Sequence, residues 1–124
     1  MLKKVLFDGV AYVNVTPHPI TLQKGEQVFT VEPSGVLINA RPEECHARTL
    51  PGGIQLVRTA FVPDPASAAA LDAIEKEVPG AVVIGSIIAA QAFPGRVFAM
   101  VPVPGFERVP PEQKRMRADK FTTF

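Results

Sequence analysis

A chain of 124 residues, 47% of them hydrophobic, has room for one packed domain with one core and is too apolar for global disorder. A formal net charge of +1 supplies no field for gripping a run of phosphates, which argues against sequence-independent DNA or RNA binding. The single cysteine, Cys45, cannot close an internal disulfide and suits a reducing compartment.

The apolar stretch Val5 to Phe7 ends at Asp8-Gly9, too short for the core of a signal peptide. The longest apolar run, Ala81 to Ala90, is interrupted by Gly85 and Ser86 and falls short of the roughly 18 to 20 residues that span a bilayer. One cytoplasmic domain over 1–124, without a membrane segment, is therefore expected. Thirteen prolines and nine glycines cut the chain into short pieces and disfavour a helical bundle.

In chain order, Val5 to Phe7 and Val10 to Val15 flank an Asp-Gly turn and read as a strand pair. Ile20 to Leu22 and Gln27 to Val31 form a second pair around Lys24-Gly25. Pro33-Ser34-Gly35 then turns the chain into another short strand, Val36 to Ile38. Arg41 to Leu50 carries no clear period and reads as an irregular connection or a ragged edge strand. Beyond Pro51-Gly52-Gly53, alternation returns in Ile54 to Val62.

Asp64 is a good N-cap, Pro65 suits the first helical position, and Ala66 to Val78 is alanine-rich. Leu71, Ile74 and Val78 recur at helical spacing and mark a buried face. Ala81 to Gly85 reads as a buried strand, and Ser86 caps a second short helix, Ile87 to Phe93. Val97 to Val103 is a further strand. The tail, 104–124, is polar and basic, and its closing Phe-Thr-Thr-Phe suits docking on the sheet or on a partner subunit. The sum is an α+β domain with a mainly antiparallel sheet of short strands and two helices in the second half.

Catalytic constellations are thin. His18 and His46 are the only histidines, Cys45-His46 is not a chelating spacing, and no second cluster completes a metal site. Gly52-Gly53 lacks the lysine and helix of a phosphate loop. No enzyme, no cofactor and no metal are expected.

Features that could hold a ligand are plainer. Gly85 allows close backbone approach and Ser86 offers a hydroxyl, although capping its helix explains Ser86 equally well. Arg96, Arg108, Lys114, Arg115, Arg117 and Lys120 concentrate cations in the last quarter. Guanidinium forks match phosphate oxygens, so a few of them aimed at one pyrophosphate would form a site. Phe61 and Phe106 could stack on a base. The most distinctive string, Asn14 to Leu22, joins two strands through a stiff Thr16-Pro17-His18-Pro19 corner.

That string resembles the Asn-Leu-Thr-Pro-His opening of a group of small phage and prophage proteins. Ala81 to Ala92 resembles a second stretch of the same group, and Phe106-Glu107-Arg108 through Phe121 its closing segment. The group includes the first-described Thoeris anti-defence family, sponges that bind cyclic ADP-ribose immune signals without cleaving them.

The resemblance covers about half the chain. It implies non-catalytic sequestration of a cyclic nucleotide, a cyclic ADP-ribose isomer or a cyclic oligonucleotide, by a homo-oligomer, a dimer or hexamer. By position it places ligand-binding roles on Ser86 and Arg108, with Arg115 or Arg117 as alternatives for the arginine, and an aromatic at Phe61; Gln91 of the second matching stretch and Arg96 of the cationic cluster complete the expected ligand-binding set. Departures include Val15 for leucine, Gly85 for serine, an added helix at Ala66 to Val78, and Arg108-Val109 in place of Arg-Asp. Two other readings stay open: a small phosphodiesterase or nucleotide hydrolase using His18 or His46, and a structural or interaction protein of a phage particle.

Overall fold

The computed structural model describes residues 2–124. Its strands are β1 (Val5–Phe7), β2 (Val10–Asn14), β3 (Ile20–Lys24), β4 (Gln27–Val31), β5 (Ala40–Thr49), β6 (Gln55–Pro63), β7 (Val82–Gly85), β8 (Phe98–Pro102) and β9 (Met116–Thr122). Two α-helices, α1 (Pro65–Glu77) and α2 (Ile87–Ala92), lie in the second half, and a 3-10 turn spans Pro111–Gln113. The class is α+β.

Seven strands form one mixed sheet in the order β1-β2-β7-β8-β9-β3-β4, while β5 and β6 form a separate two-stranded ribbon. Pairing is antiparallel within the hairpins β1–β2, β3–β4 and β5–β6 and between β8 and β9. It is parallel for β2–β7, β7–β8 and β3–β9. β7 and β8 are joined by a crossover through α2, while β2–β7 and β3–β9 pair strands far apart in the chain; none of the three could be made by a tight turn.

The sheet curls until its two ends meet. Phe7 stacks on Phe29 with ring centroids 4.1 Å apart, Asp8 forms an ion pair with Lys24, and Asn14 bridges to Pro33. Inside the curl are Tyr12, Ile20, Leu22, Val31, Ile84 and Ala118, all buried. Tyr12 donates its hydroxyl to the Ala118 carbonyl across this interior, at 3.1 Å. Burial pushes the Tyr12 phenol up.

On the outer face, Val13, Val83, Val97 and Ala99 meet Leu71 and Ile74 of α1, Ala89 and Ala90 of α2, and Phe93 at the C-cap of α2. Strands buried on both faces lose polar alternation, which explains the continuous apolar run of β7. Gly85 is required there by space rather than by conformation: an added Cβ would stand 2.6 Å from Cγ1 of Val97.

One expectation about an element changes and two are sharpened. Val36 to Ile38 is not a strand; Ile38 donates to the Val15 carbonyl at 3.3 Å and buries itself in the outer core without a ladder. Arg41 to Leu50 takes the second of its two readings, a ragged edge strand: it forms most of the ten-residue strand β5, exposed on both faces and broken in register between His46 and Arg48. The end of the tail is a strand inside the sheet, β9, seated between β8 and β3.

Candidate functional site

The strands β2, β7 and β8 run parallel, so their carboxyl ends open at one end of the curled sheet, where β9 and β3 begin. A cleft of about 390 Å³ lies there. Its lining combines Thr16, Pro17, His18 and Pro19 of the β2–β3 corner with Ser86 after β7 and Lys114 before β9. Ile20, Met100 and Met116 form its apolar floor. Mouths of curled sheets and the carboxyl ends of parallel strands are common places for small-molecule sites, and this volume is in their usual range.

The corner is held by Asn14, which is fully buried. Its side-chain amide donates to the carbonyl of His18 at 2.7 Å and of Val31 at 3.0 Å. Its side-chain oxygen accepts from the Thr16 amide at 2.9 Å and the Thr16 hydroxyl at 2.7 Å. All the hydrogen-bonding capacity of Asn14 is thus spent on local backbone and on Thr16. The string Asn14-Val15-Thr16-Pro17-His18 is therefore a built corner that presents an exposed His18 ring at the cleft rim.

Ser86 caps α2: its hydroxyl oxygen accepts from the Ala89 amide at 3.1 Å. It also lines the cleft, and its own O–H remains able to donate.

Beside this cleft, on the outside of β3 and β4, lies a second depression of about 400 Å³. Thr21 and Lys114 belong to both. The second is further lined by Val28, Phe106, Glu112, Gln113 and Arg115. The Arg115 guanidinium lies 5.0 Å from the Phe106 ring centroid and donates to the Gln23 side chain at 3.2 Å. The loop above is stapled by Val103 donating to Arg115 and Phe106 donating to Val103, each at 2.9 Å.

The cations of the C-terminal quarter do not converge within one chain. Arg96 is occupied by α1, reaching Asp72 at 2.6 Å and Glu75 at 2.5 Å. These carboxylates hold its pKa above the ordinary arginine value. Arg117 is paired with Asp119 at 2.9 Å, and Arg108 is exposed on the loop outside both depressions.

Neither Gln91, exposed on α2, nor Phe61, half-buried against the outer core, lines either depression. Of the expected residues, only Ser86 and Arg115 reach these depressions, with Lys114 between them. The partners of Arg96 precede it by 21 and 24 positions, on a helix whose carboxylates look merely solvated in the sequence. His18 stands in the distinctive corner string and Lys114 in the cationic tail, but nothing local in the sequence brings the two to one cleft.

Among the described residues no group of His, Cys, Asp and Glu side chains could hold a metal ion, and no helix is long and apolar enough to cross a membrane. Cys45 is exposed on β5. The chain matches no family model, no curated protein and no solved structure, so its function is argued from this geometry.

Proposed function

We propose that the protein binds a small phosphate-bearing nucleotide without altering it, across the paired depressions around Lys114. The observation that carries this reading is that Lys114 lines both hollows, with His18 and Ser86 in one and Arg115 with Phe106 in the other. A compact ligand with central phosphates and a flat base would set its phosphates on Lys114. Its base would lie against Phe106 or over the Ile20, Met100 and Met116 floor. Affinity would come from charge-assisted hydrogen bonds in a partly desolvated cleft.

The resemblance of the Asn14 to Leu22 string to the Thoeris anti-defence group gives the ligand class: a cyclic ADP-ribose isomer, or a related cyclic oligonucleotide, sequestered in the cytoplasm. In this reading Arg115 keeps its expected role, and Lys114 takes the place of the other expected arginines, Arg96, Arg108 and Arg117.

Calorimetric titration with a cyclic ADP-ribose isomer tests it. Saturable binding is expected, weakened at least tenfold by Lys114→Ala, with ligand recovered intact after the protein is heat-denatured. A chemically altered ligand would replace sequestration with catalysis. Unchanged affinity in Lys114→Ala would remove this cleft as the site.

A further inference from the structure

We infer that the β5–β6 ribbon is an arm whose tip docks on an anionic lipid surface. The inference uses none of the cleft residues and stands apart from the nucleotide reading.

The ribbon is anchored only at its root, where Ala40 and Phe61 pack against the outer core. Beyond Ala40 every residue of β5 is exposed, and β6 is exposed from Val57 to Ala60. A ten-residue strand spans about 30 Å at the usual rise, so the hairpin tip is carried well away from that root.

Charge is divided along the arm. The root half holds Glu43 and Glu44, and Glu43 faces Arg41 at 3.8 Å. From Cys45 to Arg58 there is no carboxylate, while Arg48, Arg58 and His46 all fall in that stretch. The register sets Arg58 opposite Cys45 and Arg48 opposite Leu56, which puts both guanidiniums on one face. Among the described residues neither has an ion-pair partner, whereas Lys24, Arg96 and Arg117 of the body are all paired. Two uncompensated guanidiniums on one face suit phosphate and carboxylate oxygens.

The tip itself is apolar. Leu50-Pro51-Gly52-Gly53-Ile54 carries no charged side chain. Ile54 is 58% exposed, and Val57 behind it is 42% exposed. The Leu50 amide donates to the Ile54 carbonyl at 2.7 Å and the Gly53 amide to the Leu50 carbonyl at 3.2 Å. Pro51 has no amide proton, so three of the five tip residues need no water as acceptor and enter a low-dielectric layer cheaply.

A nucleic-acid backbone would engage the charge alone: two guanidiniums release about two counterions, and the apolar tip stays in water. A lipid surface answers both features. Leu50 and Ile54 enter the boundary between headgroups and acyl chains, and Arg48, about 7 Å behind Leu50 at the usual rise, reaches the lipid phosphates. Docking of this kind needs no spanning helix.

Sedimentation with vesicles of phosphatidylcholine containing about 30 mole per cent phosphatidylserine tests this. The protein is expected to pellet with them, to stay in solution with phosphatidylcholine alone, and to be released by about 0.5 M salt. Arg48→Ala and Arg58→Ala should each weaken binding about fivefold, and Ile54→Asp about tenfold. All three side chains are exposed, so thermal midpoints should not move. The chain holds no tryptophan, so Ile54→Trp reports on the tip alone. Its emission should shift to the blue on anionic vesicles and stay unchanged on neutral ones. A chain that ignores anionic vesicles overturns the proposal, as does equal binding to neutral ones. Binding that survives the three substitutions together does so too, and so does a tip tryptophan that stays in water while the protein pellets. Binding to a short DNA duplex without any to vesicles would hand the arm to nucleic acid.

Discussion

The curled sheet and the β5–β6 arm are both built from hydrogen-bonded strand pairs, yet they solve opposite problems. In the sheet, β2, β7 and β8 bury residues on the two faces, one toward the interior around Leu22 and Ile84 and one toward α1 and α2. The arm satisfies its inner ladder and little else, leaving charged and apolar side chains alike in water. Strand formation is thus a local matter of pairing and turn chemistry, whereas stability comes from what covers the faces. A body that covers its own strands can carry an arm that does not.

The contrast can be broken or sharpened by mutation. Leu22 is fully buried inside the curl, and Leu22→Ala should cost about 3 kcal/mol in chemical denaturation. In dilute protein, Thr59→Ala on the exposed arm should stay within about 0.5 kcal/mol. Equal costs would erase the distinction between body and arm. Asn14→Ala strands the buried carbonyl of Val31 and frees the corner, at about 2 kcal/mol. It should also weaken ligand binding, because His18 loses its mooring. Gly85→Ala forces Val97 to move and should cost about 1 to 2 kcal/mol, read as a lower thermal midpoint.

The smallest effect belongs to the Asp8–Lys24 pair that clips the two ends of the curl. Lys24 holds the Asp8 carboxyl below the usual aspartate value, and Asp8 holds the Lys24 ammonium above the usual lysine value. The Asp8 contribution is present above the unfolded carboxylate pKa and is lost as pH falls through its lowered folded value. The Lys24 contribution is present below the unfolded lysine pKa and is lost as pH rises through its raised folded value. Thermal midpoints of Lys24→Met against pH should therefore approach those of the parent chain at both extremes and lie slightly below them between.

Much of the local structure was legible. Asp64 followed by Pro65 and the Leu71, Ile74 and Val78 stripe define α1, and Asp64 accepts from the Ser67 amide as an N-cap should. Ser86 likewise opens α2. Turns at Asp8-Gly9 and Lys24-Gly25 follow from residues that tolerate positive φ, which Asp8, Gly9 and Gly25 adopt. β5 was obscured because a strand exposed on both faces shows no hydrophobic period to read.

The site was legible only in fragments: a rigid Thr-Pro-His-Pro corner, a serine after an apolar strand, a cationic tail. Their assembly was not, because Thr16, Ser86 and Lys114 meet only after the sheet has curled and β9 has entered between β8 and β3. The tertiary fold likewise takes Arg96 out of contention by closing it onto Asp72 and Glu75.

By itself the sequence determined the helices with their caps, the hairpins with their turns and the absence of a familiar catalytic motif, since each rests on neighbours within a few residues. The tertiary structure alone decided which cations are free, which strands are covered and where a ligand could sit. Charge pairing and burial depend on distances between groups that lie tens of residues apart along the chain.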